Sequence, residues 1–127
     1  MNRYPLFLSV VVVVRDQAQS LRARLSGMTA PLTELVSDYE LIVVDNASQD
    51  DSVAVLKGLT AEGGLPNLQV YALTKTVDSD TASWVGLESA LGDFVAVIDP
   101  MTDDVAFLET MLDHAVAGSD VVFAANK

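Results

Sequence analysis

Five consecutive valines, Val10–Val14, close a mostly apolar run that opens at Leu6 and stops at Arg15-Asp16. Nine residues are too few to cross a bilayer as a helix, which takes about 20. Branching at Cβ favours the extended chain, so the run reads as a buried strand over Leu8–Val14. Arg3 ahead of it imitates the start of a secretory signal. However, Arg15 and Asp16 occupy the place of the small-residue cleavage site, so a cytoplasmic protein is expected. A strand apolar on both faces must be covered on both faces, which is the condition of a parallel sheet between helices.

The rest of the chain repeats that alternation. Leu21 and Leu25 are four apart and predict a helix over Gln17–Met28 that ends near Gly27, followed by a partly helical connection, Ala30–Asp38, containing Pro31. Glu40–Val44 reads as the second strand, Ser52–Leu59 as a helix with Val53, Leu56 and Leu59 on one face, and Leu68–Leu73 as the third strand. A helix over Thr81–Leu91 is expected to bury Trp84, Leu87 and Leu91. Phe94–Ile98, Val105–Ala117 and Val121–Ala124 complete the series as strand, helix and strand. Strands alternating with helices of this length make βαβ units and a mainly parallel sheet, hence a three-layer α/β/α domain over residues 1–127. The end at Asn126-Lys127, just past the fifth strand, suggests a piece of a longer protein. Its sheet edges are places where a second copy could pair.

Seven Lys and Arg against eighteen Asp and Glu leave a formal charge of −11. That balance excludes a nucleic-acid binder, whose affinity rests on clustered cations, and docking on anionic lipid by charge alone. With no cysteine, disulfides, thiolate nucleophiles and cysteine-held zinc are also excluded.

The acidic residues are not scattered. Arg15-Asp16-Gln17, Asp45–Asp50, Thr74-Lys75-Thr76 and Asp99–Asp104 follow strands one to four. A parallel sheet gathers these loops at its carboxyl edge, where open α/β sheets bind ligands. Carboxylates crowded there need a positive partner, and Mg²⁺ or Mn²⁺ with a phosphorylated ligand meets that need. Asp50, Asp51, Asp103 and Asp104 directly precede helices and read as caps and dipole partners. Asp45 and Asp99 end their strands too early for capping and read as ligand residues. His114, the single histidine, falls mid-helix, away from that edge, and reads as a surface or half-buried residue.

Two segments carry a family resemblance. Val44-Asp45-Asn46-Ala47-Ser48-Gln49-Asp50 is similar to the Val-Asp-Asp/Asn-Gly/Ala-Ser-x-Asp loop of family 2 glycosyltransferases. Gly86-Leu87-Glu88-Ser89-Ala90-Leu91-Gly92-Asp93-Phe94 resembles their Gly-Leu-x-x-Ala-x-Gly-Asp segment, in the right order and separation. Phe107–Ala124 looks like the stretch after Asp-x-Asp in the polyprenyl-phosphate sugar transferase branch. The resemblance implies a GT-A, Rossmann-like fold and an inverting transfer of sugar from a UDP- or GDP-linked donor. It implies a nucleotide site at Val14, Asp16, Asp45, Asn46, Ser48 and Thr76, with Asp45 at the base. It also implies a divalent metal, Mg or Mn, on Asp99, with Asp103 or Asp104 as further candidates. Any membrane contact would come from a longer full-length protein, at the inner face.

The departures are specific. Val13, Arg15 and Gln17 replace the family's Pro, Tyr and Glu, and Thr76-Val77-Asp78 replaces an Asn-x-Gly. Met101 replaces the second Asp of Asp-x-Asp, and a thioether is a poor ligand for a hard cation. No residue is identified as catalytic base. These changes keep a second reading open, a non-catalytic relative serving as a scaffold or interaction module. A phosphoacceptor receiver domain is disfavoured, because strand three ends in Leu73-Thr74-Lys75 rather than an Asp.

Overall fold

The structure, a computed structural model, describes residues 4–61, 63–98, 110 and 121–123. Its elements are β1 (Tyr4–Val14), α1 (Ala18–Leu35), β2 (Val36–Asp45), α2 (Ser52–Thr60), β3 (Leu68–Ala72), α3 (Ser79–Ser89), β4 (Phe94–Ile98) and β5 (Val121–Phe123). The five strands form one parallel sheet in the order β3-β2-β1-β4-β5. The chain steps outward from β1 to β3, then crosses back to β4. Right-handed crossovers therefore place α1 and α2 on one face and α3 on the other, in line with α1 packing on α2, and α3 on β1 and β2. The expected three-layer α/β arrangement is what is found. The helix expected over Val105–Ala117 lies outside the described residues, apart from helical Thr110.

β1 is the middle strand, and its alternation divides the core. Leu8, Val10, Val12 and Val14 join Leu21, Leu25, Met28, Leu32, Leu56 and Leu59 in one fully packed cluster beneath α1 and α2. Val11 faces α3, and it is as buried as its even-numbered neighbours. Residues paired across β1 and β2 share a face, Ser9 with Glu40 and Val11 with Ile42.

Two sequence expectations are corrected. First, α1 does not stop near Gly27; it continues through Gly27 and Pro31 to Leu35, and β2 starts at once. The extra turns bury Met28, Leu32 and Leu35 in the same stripe as Leu21 and Leu25. Three such side chains contribute about 1.5–3 kcal/mol each. An interior proline costs about 3 and a glycine about 1 kcal/mol, so packing outweighs propensity. Second, Trp84 and Leu91 are not inward: they are 60% and 78% exposed, while Ala82 and Gly86 form the buried side of α3. A Cβ added at Gly86 would overlap Val11 Cγ1, so at this point α3 lies too close to β1 for a side chain. Among the described residues, no helix is long and apolar enough to cross a membrane.

Candidate functional site

The strand order reverses between β1 and β4. The crevice of such a sheet opens at this point, outside the carboxyl ends of the strands. The β1–α1 loop (15–17) stands there, beside the β2–α2 loop (46–51) and, one strand further out, the β3–α3 loop (73–78).

Asp45 ends β2 with its side chain fully buried. Its carboxylate accepts from the Ser48 amide at 3.0 Å (Oδ2) and from the Ser48 hydroxyl at 2.6 Å (Oδ1). Ser48 Oγ in turn accepts the Asp16 amide at 2.8 Å. Asp16 answers in the other direction, its Oδ1 accepting from the amides of Gln49 (2.7 Å) and Asp50 (3.3 Å). Asp16 holds a left-handed backbone, φ 51°, a conformation that Asp tolerates better than most residues. Ala47 lies there too, at φ 55°, a region that glycine enters freely and that costs alanine through its Cβ.

The two helix starts are tied into the same knot. Asp50 accepts from the Ser52 amide (2.8 Å) and hydroxyl (2.5 Å) at the head of α2, and from the Ala18 amide (3.1 Å) at the head of α1. The Gln17 amide donates to Ser52 Oγ at 3.0 Å. Asp50 therefore has the capping role its position suggested, and serves two helices. Asp51 stands at the N-cap of α2 without a side-chain cap bond. The third loop joins through Asn46: its Nδ2 donates to the Val77 carbonyl at 2.7 Å, and its Oδ1 accepts from the Val77 amide at 2.9 Å. The Asn46 amide donates to the Val14 carbonyl and the Leu73 amide to the Asp45 carbonyl.

The structure thus brings together Asp16, Asp45, Asn46 and Ser48, with the Val14 backbone, in one hydrogen-bonded layer, and Thr76 sits exposed next to Val77. Asp16, Gln17, Ala18, Gln19, Ser20 and Asp50 line an open depression of about 410 Å³ beside it. Gln17 Oε1 is buried without a hydrogen-bond partner. Asp99, Asp103 and Asp104, the expected metal residues, lie outside the described residues, as does His114. Among the described residues, no group of three metal-ligating side chains is assembled.

Sequence reasoning missed a second polar cluster, at the opposite edge. Glu40, 4% exposed, accepts from Ser9 Oγ (2.6 Å), Gln69 Nε2 (2.7 Å) and the Leu91 amide (2.7 Å). Ser9 Oγ also accepts the Gly92 amide at 2.8 Å. Asp93 exchanges bonds with Phe7 through its amide and its carboxylate. A Cβ on Gly92 would stand 2.7 Å from Ser9 N and 2.9 Å from the Phe7 carbonyl. The Gly92-Asp93 half of the second motif is therefore architectural: it fastens the turn before β4 to the start of β1. The available signal was a serine and a glutamate inside otherwise apolar strands.

The profile described as "Glycosyl transferase family 2" matches residues 9–126. The chain belongs to this family. Among similar family proteins is the undecaprenyl-phosphate 4-deoxy-4-formamido-L-arabinose transferase of Pseudomonas fluorescens (strain SBW25), 31% identical over 124 residues, covering 96% of this chain and 36% of the relative. The protein of the same name from Aeromonas hydrophila subsp. hydrophila is 31% identical, covering 91% of this chain and 35% of the relative. The chain thus spans little more than a third of these relatives. In fold, it is similar to the mannosyltransferase PcManGT of Pyrobaculum calidifontis, solved in complex with GDP-Man and Mn²⁺. The TM-score is 0.68 and the identity 22%, over 90% of this chain and 32% of that one. The glycosyltransferase fold inferred from the two motifs is the one observed.

Two carboxylates make the loop layer pH-sensitive. The Ser52 hydroxyl, with the Ser52 and Ala18 amides, holds Asp50 below the usual carboxylate range, against a smaller opposing effect of desolvation. The Thr81 amide does the same for Asp78, the N-cap of α3. A lowered folded-state pKa lends stability that is present above the unfolded value, 3.8, and is lost as pH falls through the folded value. Urea unfolding between neutral pH and pH about 3 is expected to show this loss, with a shallower decline in Asp50→Asn and Asp78→Asn. Identical slopes in all three proteins would refute the assignment.

Proposed function

We propose that the chain is the donor-binding part of a glycosyltransferase. In this reading a nucleotide-diphosphate sugar, UDP- or GDP-linked, docks at the carboxyl edge, and its sugar passes to an acceptor by inverting displacement. The acceptor oxygen bonds to the anomeric carbon as the bond to the diphosphate breaks. The observation that carries this reading is the interlocked layer of Asp16, Asp45, Asn46 and Ser48 at the carboxyl ends of β1 and β2, beside the β1/β4 switch point where such sheets bind ligands. Asp45 forms its floor, the Val14 backbone braces it, and Thr76 stands at its rim. Relatives named as undecaprenyl-phosphate sugar transferases support a polyprenyl phosphate as acceptor, reached at the inner face of the membrane.

The carboxylates of Asp99 and of Asp103 or Asp104 are oxygen donors of the kind Mg²⁺ and Mn²⁺ take, whereas Met101 is not. When bound, such an ion would offset the charge of the diphosphate leaving group. The neighbour solved with GDP-Man and Mn²⁺ makes Mn²⁺ the cation to test. Calorimetric titration of UDP, GDP and their sugar conjugates is expected to give micromolar binding that needs Mn²⁺ and disappears in Asp99→Ala. No binding at millimolar ligand would overturn the donor-site reading and favour the non-catalytic scaffold. Metal-independent binding would remove Asp99 from the metal site alone.

A further inference from the structure

β3 closes the sheet on one side, so one of its two edges is open. The Leu41 amide donates to the Asn67 carbonyl and the Leu73 amide to the Asp45 carbonyl. Successive residues of a strand turn their N–H and C=O groups to opposite sides. Residues 67, 69, 71 and 73 therefore face β2, while Leu68, Val70 and Ala72 direct their backbone groups outward. Among the described residues, no strand pairs with that edge.

Natural sheet edges are blunted by lysine, proline, bulges or inward charges. None of these falls within β3, which reads Leu-Gln-Val-Tyr-Ala. Pro66 precedes the strand and Lys75 follows it, and its pairing with β2 runs without a register shift. The surroundings are also poor in charge. Between Asp51 and Asp78 the chain carries Lys57, Lys75 and one acid, Glu62, a net +1, so the rest of a chain of −11 holds −12. This stretch builds β3 and the helix packed on it, α2. Two copies of so acidic a chain repel each other in most orientations, and along this edge the repulsion is least.

We infer that the open edge of β3 is a self-association surface and that its occupant is the β3 of a second copy. Antiparallel pairing about a two-fold axis lets each edge satisfy the other. The register that uses every outward residue sets Val70 opposite Val70 of the second copy and Leu68 opposite its Ala72, so that each outward N–H meets an outward C=O. Tyr71, 36% exposed, then stands near the two-fold axis on the α3 side of the joined sheet. This surface is independent of the donor-site reading above.

Sedimentation equilibrium of the chain from about 10 µM to about 1 mM tests it. The mass is expected to rise from monomer to dimer with a Kd on the order of 100 µM, since a five-residue edge is smaller than a standard interface. Amide exchange at Val70 and Ala72 should slow with concentration, while Gln69 and Tyr71, bonded to β2, stay protected throughout. Ala72→Pro removes an outward N–H at an exposed position and leaves the β2 ladder whole. It should weaken association about tenfold or more while the monomer stays folded by circular dichroism. The chain has no cysteine, so Tyr71→Cys supplies a single thiol. In this register the two thiol-bearing positions lie about 8 Å apart, and a bismaleimide of that span should join them, whereas Gln19→Cys, exposed on α1, should stay uncrosslinked. A monomer throughout the range overturns the inference. So does a dimer that folded Ala72→Pro leaves intact, or one that Tyr71→Cys fails to trap, because the contact then lies elsewhere. If Ala72→Pro does not fold, the crosslink alone decides.

Discussion

Glu40→Ala is expected to destabilise the domain by about 2–4 kcal/mol, with a fall in Tm on the order of 10 °C. The substitution removes one acceptor and strands three donors: the Ser9 hydroxyl, the Gln69 amide and the Leu91 backbone N–H. A buried donor without a partner costs about 1–3 kcal/mol. The full sum is not reached, because Gln69 and Leu91 retain access to water. Ser9 has no such relief: it is fully buried, and its oxygen already accepts the Gly92 amide. Against a total stability of about 5–15 kcal/mol this is a large fraction. Glu40→Gln is the informative partner. Its shape is conserved, and its NH₂ is met if the Gln69 amide turns over to present Oε1, so a smaller loss of about 0.5–1.5 kcal/mol is expected from the weaker neutral bonds. Thermal unfolding of the three proteins is the measurement, with amide exchange at Leu91 and Gly92 as the local readout. A Tm unchanged in Glu40→Ala would mean that the cluster holds nothing together.

The second large effect is expected where α3 meets β1. Gly86→Leu should cost about 3 kcal/mol, since overpacking a filled core costs about 1–3 kcal/mol and occasionally more. Gly86→Ala is the finer probe. Replacing glycine within a helix by alanine normally gains about 1 kcal/mol. Here the new methyl would overlap Cγ1 of Val11 and press on Cγ2 at 3.2 Å. Val11 cannot swing aside, because it is fully buried in the central strand and stiff about χ1. A net loss is therefore expected, and Val11→Ala should relieve it. Urea unfolding of the two single variants and the double variant forms a cycle in which Gly86→Ala is less harmful, or stabilising, once Val11 is shortened. Strict additivity would show that the two residues do not limit each other. Nucleotide affinity should follow stability here, because α3 begins at the Asp78 cap next to the Val77 tie, and a lifted helix takes that loop with it.

Much of the architecture was legible in the chain. Apolar β-branched runs can only be strands covered on both sides, and their alternation with helical spacing leaves little besides a parallel sheet between helix layers. The loops after the strands had to share one edge, so Asp16, Asp45, Asn46 and Ser48 could be grouped before any contact was known. What could not be read was which groups spend their hydrogen bonds on one another. The Asp16–Ser48 link spans 32 residues and the Glu40–Leu91 link 51, and no local pattern encodes pairs so far apart. The same limit explains the two misjudged helices. Propensity at Gly27 and Pro31 argued for an end that a continuing buried stripe overrode. Apolar character at Trp84 argued for burial that the close approach of Gly86 to Val11 left no room for, and Leu91 falls beyond the end of α3, in the turn before β4. The sequence by itself determined the order of layers and the edge at which the candidate site's loops gather, because hydrophobic periodicity is local. Only the tertiary structure decided that the loops lock into one unit, because that depends on distances between strands that are neighbours in space alone.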